Sequence, residues 1–117
     1  MRIDLPWPDR RLNPNARAHY MQLASVKKKA REDAALQTIA NVPVDARRSL
    51  AQREGAIPVT ITFCPPDNRR RDIDNMFASL KAALDGIADG LRVDDTRFEP
   101  TLRRGEPVKP GRVEVVL

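Results

Sequence analysis

Two carboxylates separated by one residue, Asp72 and Asp74, directly follow three consecutive cations, Arg69, Arg70 and Arg71, and a second acidic pair, Asp94 and Asp95, comes further along the chain. On extended backbone Asp72 and Asp74 would leave the same face roughly 6 to 7 Å apart, because side chains alternate with period two along a strand. Clustered carboxylates raise one another's pKa unless a cation neutralises them, so such a set suits a hard divalent ion. Mg²⁺ held by two or three carboxylates can activate a water and stabilise charge on a transferring phosphoryl group. Asp72, Asp74 and one of Asp94 or Asp95 supply the carboxylates that this chemistry needs. The plain alternatives are a helix cap and surface ion pairs with the arginines. A cap accounts for one acid but not for the whole run.

Other chemistries lose their support. The chain has 117 residues with one histidine and one cysteine, which disposes of zinc sites built from Cys and His clusters and of most Ser-His-Asp and Cys-His nucleophiles. His19 reads as structural or exposed, and Cys64 as a small buried hydrophobe in a reducing compartment. There is no GxGxxG or Walker-type loop, so no nucleotide cofactor is expected. Lys and Arg total 21 against 16 Asp and Glu, a net charge of +5, and a small basic domain attracts polyanions, nucleic acid being the commonest. Lys27, Lys28 and Lys29, joined by Arg31, form a second basic cluster that faces either solvent or phosphate. No run reaches the roughly 18 apolar residues of a membrane span, and the N-terminus lacks a signal-peptide core. The cytoplasm is the expected location.

These residues need elements to position them. Arg2 to Leu5 alternates like a short edge strand, ended by Pro6-Trp7-Pro8 because proline cannot continue a ladder. Asn13-Pro14-Asn15 offers a cap for a helix over residues 16 to 40, whose buried side is expected to include Tyr20, Leu23, Val26, Ala30 and Ala34. Residues 41 to 55 read as a loop with room for a turn of helix near 46 to 52. Ile57 to Cys64 is the best strand, with Ile57, Val59, Ile61 and Phe63 on one face. From Met76 the period becomes helical: Met76, Leu80, Ala83, Leu84, Ile87 and Leu91 share an arc, with Asp74 or Asn75 as the N-cap and Gly90 as the stop. Residues 92 to 98 re-enter the sheet, Glu99-Pro100 interrupts, Leu102 and Arg103 form a short extended piece, and residues 113 to 117 are a final strand. The order predicts one compact α+β domain over residues 1 to 117, a mixed β-sheet with two main helices.

Asp72-Ile73-Asp74-Asn75, followed by Lys81, Leu84-Asp85 and Asp94-Asp95, closely resembles the RusA family of phage and bacterial Holliday junction resolvases. The resemblance extends to the Leu5-Pro6-Trp7-Pro8 opening, the run from Pro65 to Arg71 that leads into the motif, and the hydrophobic strand near the C-terminus. It implies a RusA-like fold and a homodimeric, Mg²⁺-dependent endonuclease, with Mn²⁺ able to substitute, that nicks four-way DNA junctions symmetrically. By motif position Asp72, Asp74 and Asp95 would hold the metal. Lys81 would be the functional lysine, although it comes three residues later than the family pattern places it; its plain alternative is an i,i+4 partner of Asp85. Arg69, Arg70 and Arg71 and the run Lys27 to Lys29 would bind phosphates. Two other readings fit the same residues: a nuclease preferring flaps or forks, and a non-catalytic basic DNA-binding module. Whichever holds, no membrane partner is expected.

Overall fold

The computed structural model describes residues 1–117. It is a two-layer arrangement of helices on one face of a four-stranded mixed sheet. In chain order come β1 (Arg2–Pro6), α1 (Tyr20–Asn41), α2 (Val44–Gln52), β2 (Ile57–Cys64), α3 (Ile73–Leu91), β3 (Phe98–Arg104) and β4 (Arg112–Val116), with single 3-10 turns at Arg10–Leu12 and Asp95–Arg97. The strand order is β1-β4-β2-β3. β4 pairs antiparallel with both β1 and β2, whereas β3 runs parallel to β2. A parallel pair needs a long crossover, and α3 supplies it.

The core lies between the sheet and α3. Ile3, Leu5, Val59, Ile61, Phe63, Val113 and Val115 meet Met76, Leu80, Leu84, Ile87 and Leu91 in one buried cluster. Full burial of each large aliphatic side chain contributes about 1.5 to 3 kcal/mol. The opposite face of the sheet is polar, with Arg2 joined to Asp4 and Glu114, and Arg112 to Glu114. That alternation suits a sheet wetted on one side.

Several expectations shift. α1 starts at Tyr20 rather than near Ala16, capped by His19, whose ring nitrogen accepts from the Met21 N–H. Asn13 instead ties the preceding turn by accepting from the Asn15 N–H at 2.9 Å. The expected buried side of α1 is only partly right: Ala34 is buried, but Tyr20 is 75% exposed, because the helix packs on α3 through its later turns. Residues 44 to 52 form a full short helix. β3 is one continuous edge strand that includes Pro100, and the residues before it form the 3-10 turn. Proline is tolerated there because an edge strand has a free side.

α3 begins at Ile73, three residues before the expected start. Asp72, not Asp74 or Asn75, is its N-cap. Asp74 therefore sits in the first helical turn, so it and Asp72 do not share an extended strand face. At the other end Arg92 takes the left-handed conformation at φ 58° and closes the helix two residues after Gly90.

Candidate nucleic-acid interface and carboxylate sites

The loop leaving β2 is held by Asp67. Its carboxylate accepts from the Arg69 N–H at 2.9 Å and from Arg69 Nε at 3.1 Å, and it pairs with Arg71 Nη1 at 2.9 Å. These donors hold the Asp67 carboxyl down to about 2, the backbone N–H of Arg69 most of all. Arg71 turns inward: its side chain is only 19% exposed, and it also donates to the Arg69 carbonyl. Its guanidinium lies 5.5 Å from the Trp7 ring centroid, and Trp7 in turn meets Phe63 edge to face. Arg104 Nη1 donates to the Arg71 carbonyl at 2.9 Å.

Consecutive arginines thus have different surroundings. Arg71 braces the loop, Arg69 is tethered to Asp67 but 80% exposed, and Arg70 has no carboxylate partner. The loop borders a groove of about 1120 Å³ whose lining includes Arg10, Arg69, Arg70, Arg71, Arg104 and Asp72. Arg10 and Arg104 join the cationic wall although sequence patterning did not single them out. Each comes from a distant segment, and only the fold brings them together.

Asp72 and Asp74 are both exposed at the N-terminus of α3. The Asp72 carbonyl accepts the first helical bond, from the Met76 N–H at 3.1 Å. Its carboxylate makes no capping hydrogen bond and so remains free to face an incoming group. The helix dipole favours both charges there.

Asp95 does not join them. It follows α3 in the chain and packs back beside Asp85 in the middle of that helix, where a cleft of about 220 Å³ is lined by Phe77, Lys81, Asp85, Asp95, Phe98 and Pro100. Asp72 and Asp85 are separated by about 20 Å of helix at 1.5 Å rise per residue. The expectation that Asp95 folds back beside Asp72 and Asp74 is therefore met only in part within one chain: it folds back along α3 as far as Asp85, about three helical turns short of Asp74. No group of three or more His, Cys, Asp or Glu residues is placed to hold a metal ion.

The far cleft has its own electrostatics. Burial, and then the neighbouring Asp95 carboxyl, push the Asp85 carboxyl up, while Arg31 and Lys81 partly offset the rise. Asp94 has a structural job: its carboxylate accepts from the Thr96 N–H at 2.9 Å and the Thr96 hydroxyl at 2.7 Å, which holds its pKa down. That occupation separates Asp94 from Asp95. Lys81 forms no close ion pair with Asp85, but it shares the cleft with both acids. The sequence offers Asp85 as part of the Leu84-Asp85 piece of the motif and as an i,i+4 neighbour of Lys81; its pairing with Asp95 comes from the turn after α3.

Lys27 and Lys28 line a third groove, about 680 Å³, between α1 and α3 with Leu23, Arg31, Ala78 and Lys81. Lys29 points elsewhere and is paired with Asp33 at 2.6 Å, so the lysine run divides between two helix faces. Arg31 is engaged with Asp89 at 2.6 and 3.0 Å. No helix is long and apolar enough to cross a membrane.

No protein-family model matches the chain. It is similar to a protein of Xylella fastidiosa (strain Temecula1 / ATCC 700964) described as uncharacterized, 41% identical over 101 residues. The match covers 82% of this chain and 61% of that protein, so the chain spans about three fifths of its relative's length.

Proposed function

We propose that the chain is a RusA-like, Mg²⁺-dependent endonuclease acting on branched DNA, four-way junctions above all, and working as a homodimer in the cytoplasm. The observation that carries this reading is the exposed pair Asp72 and Asp74 at the start of α3, with Asp72 on the wall of an arginine-lined groove. Cations placed along a groove suit phosphates, and they orient a strand without reading its sequence. Arg10 and Arg70, free of carboxylate partners, are the best placed to do so, and Lys27 and Lys28 extend the cationic surface along α1.

A single chain does not fit the metal, since Asp72 and Asp74 stand about 15 to 20 Å along α3 from Asp85 and Asp95. A second copy resolves this. The stripe Asp74, Ala78, Lys81, Asp85 runs along the outer face of α3, at spacings of three and four that keep one side of a helix. If two α3 helices cross antiparallel about a two-fold axis near Lys81, Asp72 and Asp74 of each copy approach Asp95 of the other. Half-buried Phe77 and Phe98, on the β3 side, provide apolar contact. Closed two-fold symmetry then yields two equivalent sites, as two symmetric nicks require. Bound there, Mg²⁺ would supply water activation and charge stabilisation on the phosphoryl group; the chain's own part is to position the strand and bring the carboxylates together.

The test is incubation with a synthetic four-way junction and Mg²⁺. Paired symmetric nicks, lost in Asp74→Asn, are expected. Absence of cleavage with Mg²⁺, Mn²⁺ or Co²⁺ across junctions of varied sequence would sink the nuclease reading, and binding without nicking would favour the non-catalytic DNA-binding module. Preference for a flap or fork over the junction in competition would redirect the substrate assignment.

A further inference from the structure

His19 and Tyr20 stack at the N-terminus of α1, their ring centroids 4.7 Å apart and their planes 30° from parallel. Tyr20 is 75% exposed and Met21 beside it 63%. The His19 ring is held from behind, its Nδ1 accepting from the Met21 N–H at 3.3 Å. The pair is thus a fixed, outward-facing aromatic surface. Aromatic rings offer a large contact area and a π-face for another ring.

Its position links it to the cationic grooves. Tyr20, Leu23, Lys27 and Arg31 fall on one arc of α1, three and four residues apart, and the last three line the groove against α3. α1 and α3 run in the same direction, since Gly86 faces Arg31 and Ala34 while Gly90 faces Ala35 and Thr38. Both helices rise about 1.5 Å per residue, so continuing this register toward their N-termini brings Tyr20 level with the first turn of α3. That turn carries Asp74 and follows Asp72.

We propose that the His19–Tyr20 stack is a platform for one unpaired nucleobase of branched DNA, stacked on the exposed Tyr20 ring while the flanking phosphates follow the adjoining cationic groove. This rests on the DNA-binding reading above and deepens it. Phosphate contacts alone would hold linear duplex and branched DNA alike. A base can stack on protein only where it has left its own stack, as at a branch point, and such stacking tolerates any base because each has a π-face. The platform therefore supplies a preference for branches that the arginines and lysines cannot.

The experiment uses a four-way junction carrying one unpaired 2-aminopurine at the branch, and a linear duplex of the same length, both without divalent ions. Wild-type protein is expected to quench the 2-aminopurine several-fold, as ring stacking does. In Tyr20→Ala the quenching disappears and junction affinity falls about 5- to 100-fold, in line with the loss of one base–aromatic stack. Tyr20→Phe and Tyr20→Trp retain both, duplex affinity stays within about two-fold because phosphate contacts are untouched, and circular dichroism confirms that each variant is folded. Quenching and affinity unchanged in Tyr20→Ala overturn the proposal, as does an equal loss on junction and duplex. Failure of the nuclease reading looks different: Tyr20-dependent quenching persists, but Mg²⁺ elicits no nicks. If the wild-type protein binds neither DNA, both fall.

Discussion

Asp67 holds Arg69 and Arg71 together against their mutual repulsion, and the effect should be visible in acid. Its carboxyl titrates at about 2 in the folded chain against an ordinary 3.8, so its stabilising contribution is present above the unfolded value and is lost as pH falls from about 4 towards 2. Asp67→Asn should therefore lower the melting temperature at pH 7 and flatten the fall between pH 4 and pH 2; melting curves of both proteins across that range check it. The neighbouring arginines should separate cleanly. Arg71→Ala removes a largely buried guanidinium from Asp67 and Trp7 and should cost about 1 to 2 kcal/mol of stability. Arg70→Ala should leave stability within about 0.5 kcal/mol but reduce the salt dependence of DNA binding by about one counterion. Denaturant melts and binding titrations over a salt series measure the two effects. Asp74→Asn should reduce Mg²⁺-dependent nicking by at least about 100-fold. Junction affinity, read by gel shift, should be equal or higher, because a negative charge facing phosphate has gone. The motif could be read from residue types and order, but the unequal roles of its arginines could not: they depend on Trp7, which is distant in sequence and follows β1, two strands from β2 in the sheet.

α3 links the core to the candidate site, and its fit against α1 depends on two glycines. A Cβ on Gly86 would overlap the Arg31 carbonyl oxygen and stand 3.0 Å from the Ala34 Cβ, and one on Gly90 would lie 2.8 Å from the Thr38 Cβ. Alanine in a helix normally gains about 1 kcal/mol over glycine. Backbone overlap of this kind costs about 3 kcal/mol, because the helices must separate. Gly86→Ala should thus lose about 2 kcal/mol net in chemical denaturation. Retained stability would mean that α1 can slide away from α3 more freely than this packing implies. The strand and helix patterns of β2 and α3 were legible because one face of each is continuously apolar. The outward stance of early α1 was not: Tyr20, Leu23 and Val26 have the spacing of a buried stripe, but the partner helix does not cover the first turns. β3 was split in the reading by Pro100, whose missing donor matters only in an interior strand.

At the scale of the molecule, the distance between the acids follows from where the chain turns. The turn after α3 brings Asp95 back only to the level of Asp85, about 20 Å along the helix from Asp72, so the two carboxylates do not meet in cis. The sequence pattern names the set of acids without saying which copy contributes each one. A mixing experiment distinguishes the arrangements. Asp74→Asn and Asp95→Asn are each expected to be inactive as homodimers. In a mixed dimer with shared sites, one site carries both substitutions and the other carries none, so nicking should return. With random exchange about half the dimers are mixed, and one intact site in each gives about a quarter of wild-type nicking, as single rather than paired cuts. If each chain held its own complete site, every site in the mixture would carry one substitution and no activity would return. Co-refolding the two variants at equal concentration ensures exchange, and counting nicks per junction on a denaturing gel reads the outcome. Recovery of single nicks would place Asp72 and Asp74 of one copy beside Asp95 of the other across the two-fold axis; an inactive mixture, with mixed dimers verified by affinity tags of two kinds, would remove that arrangement.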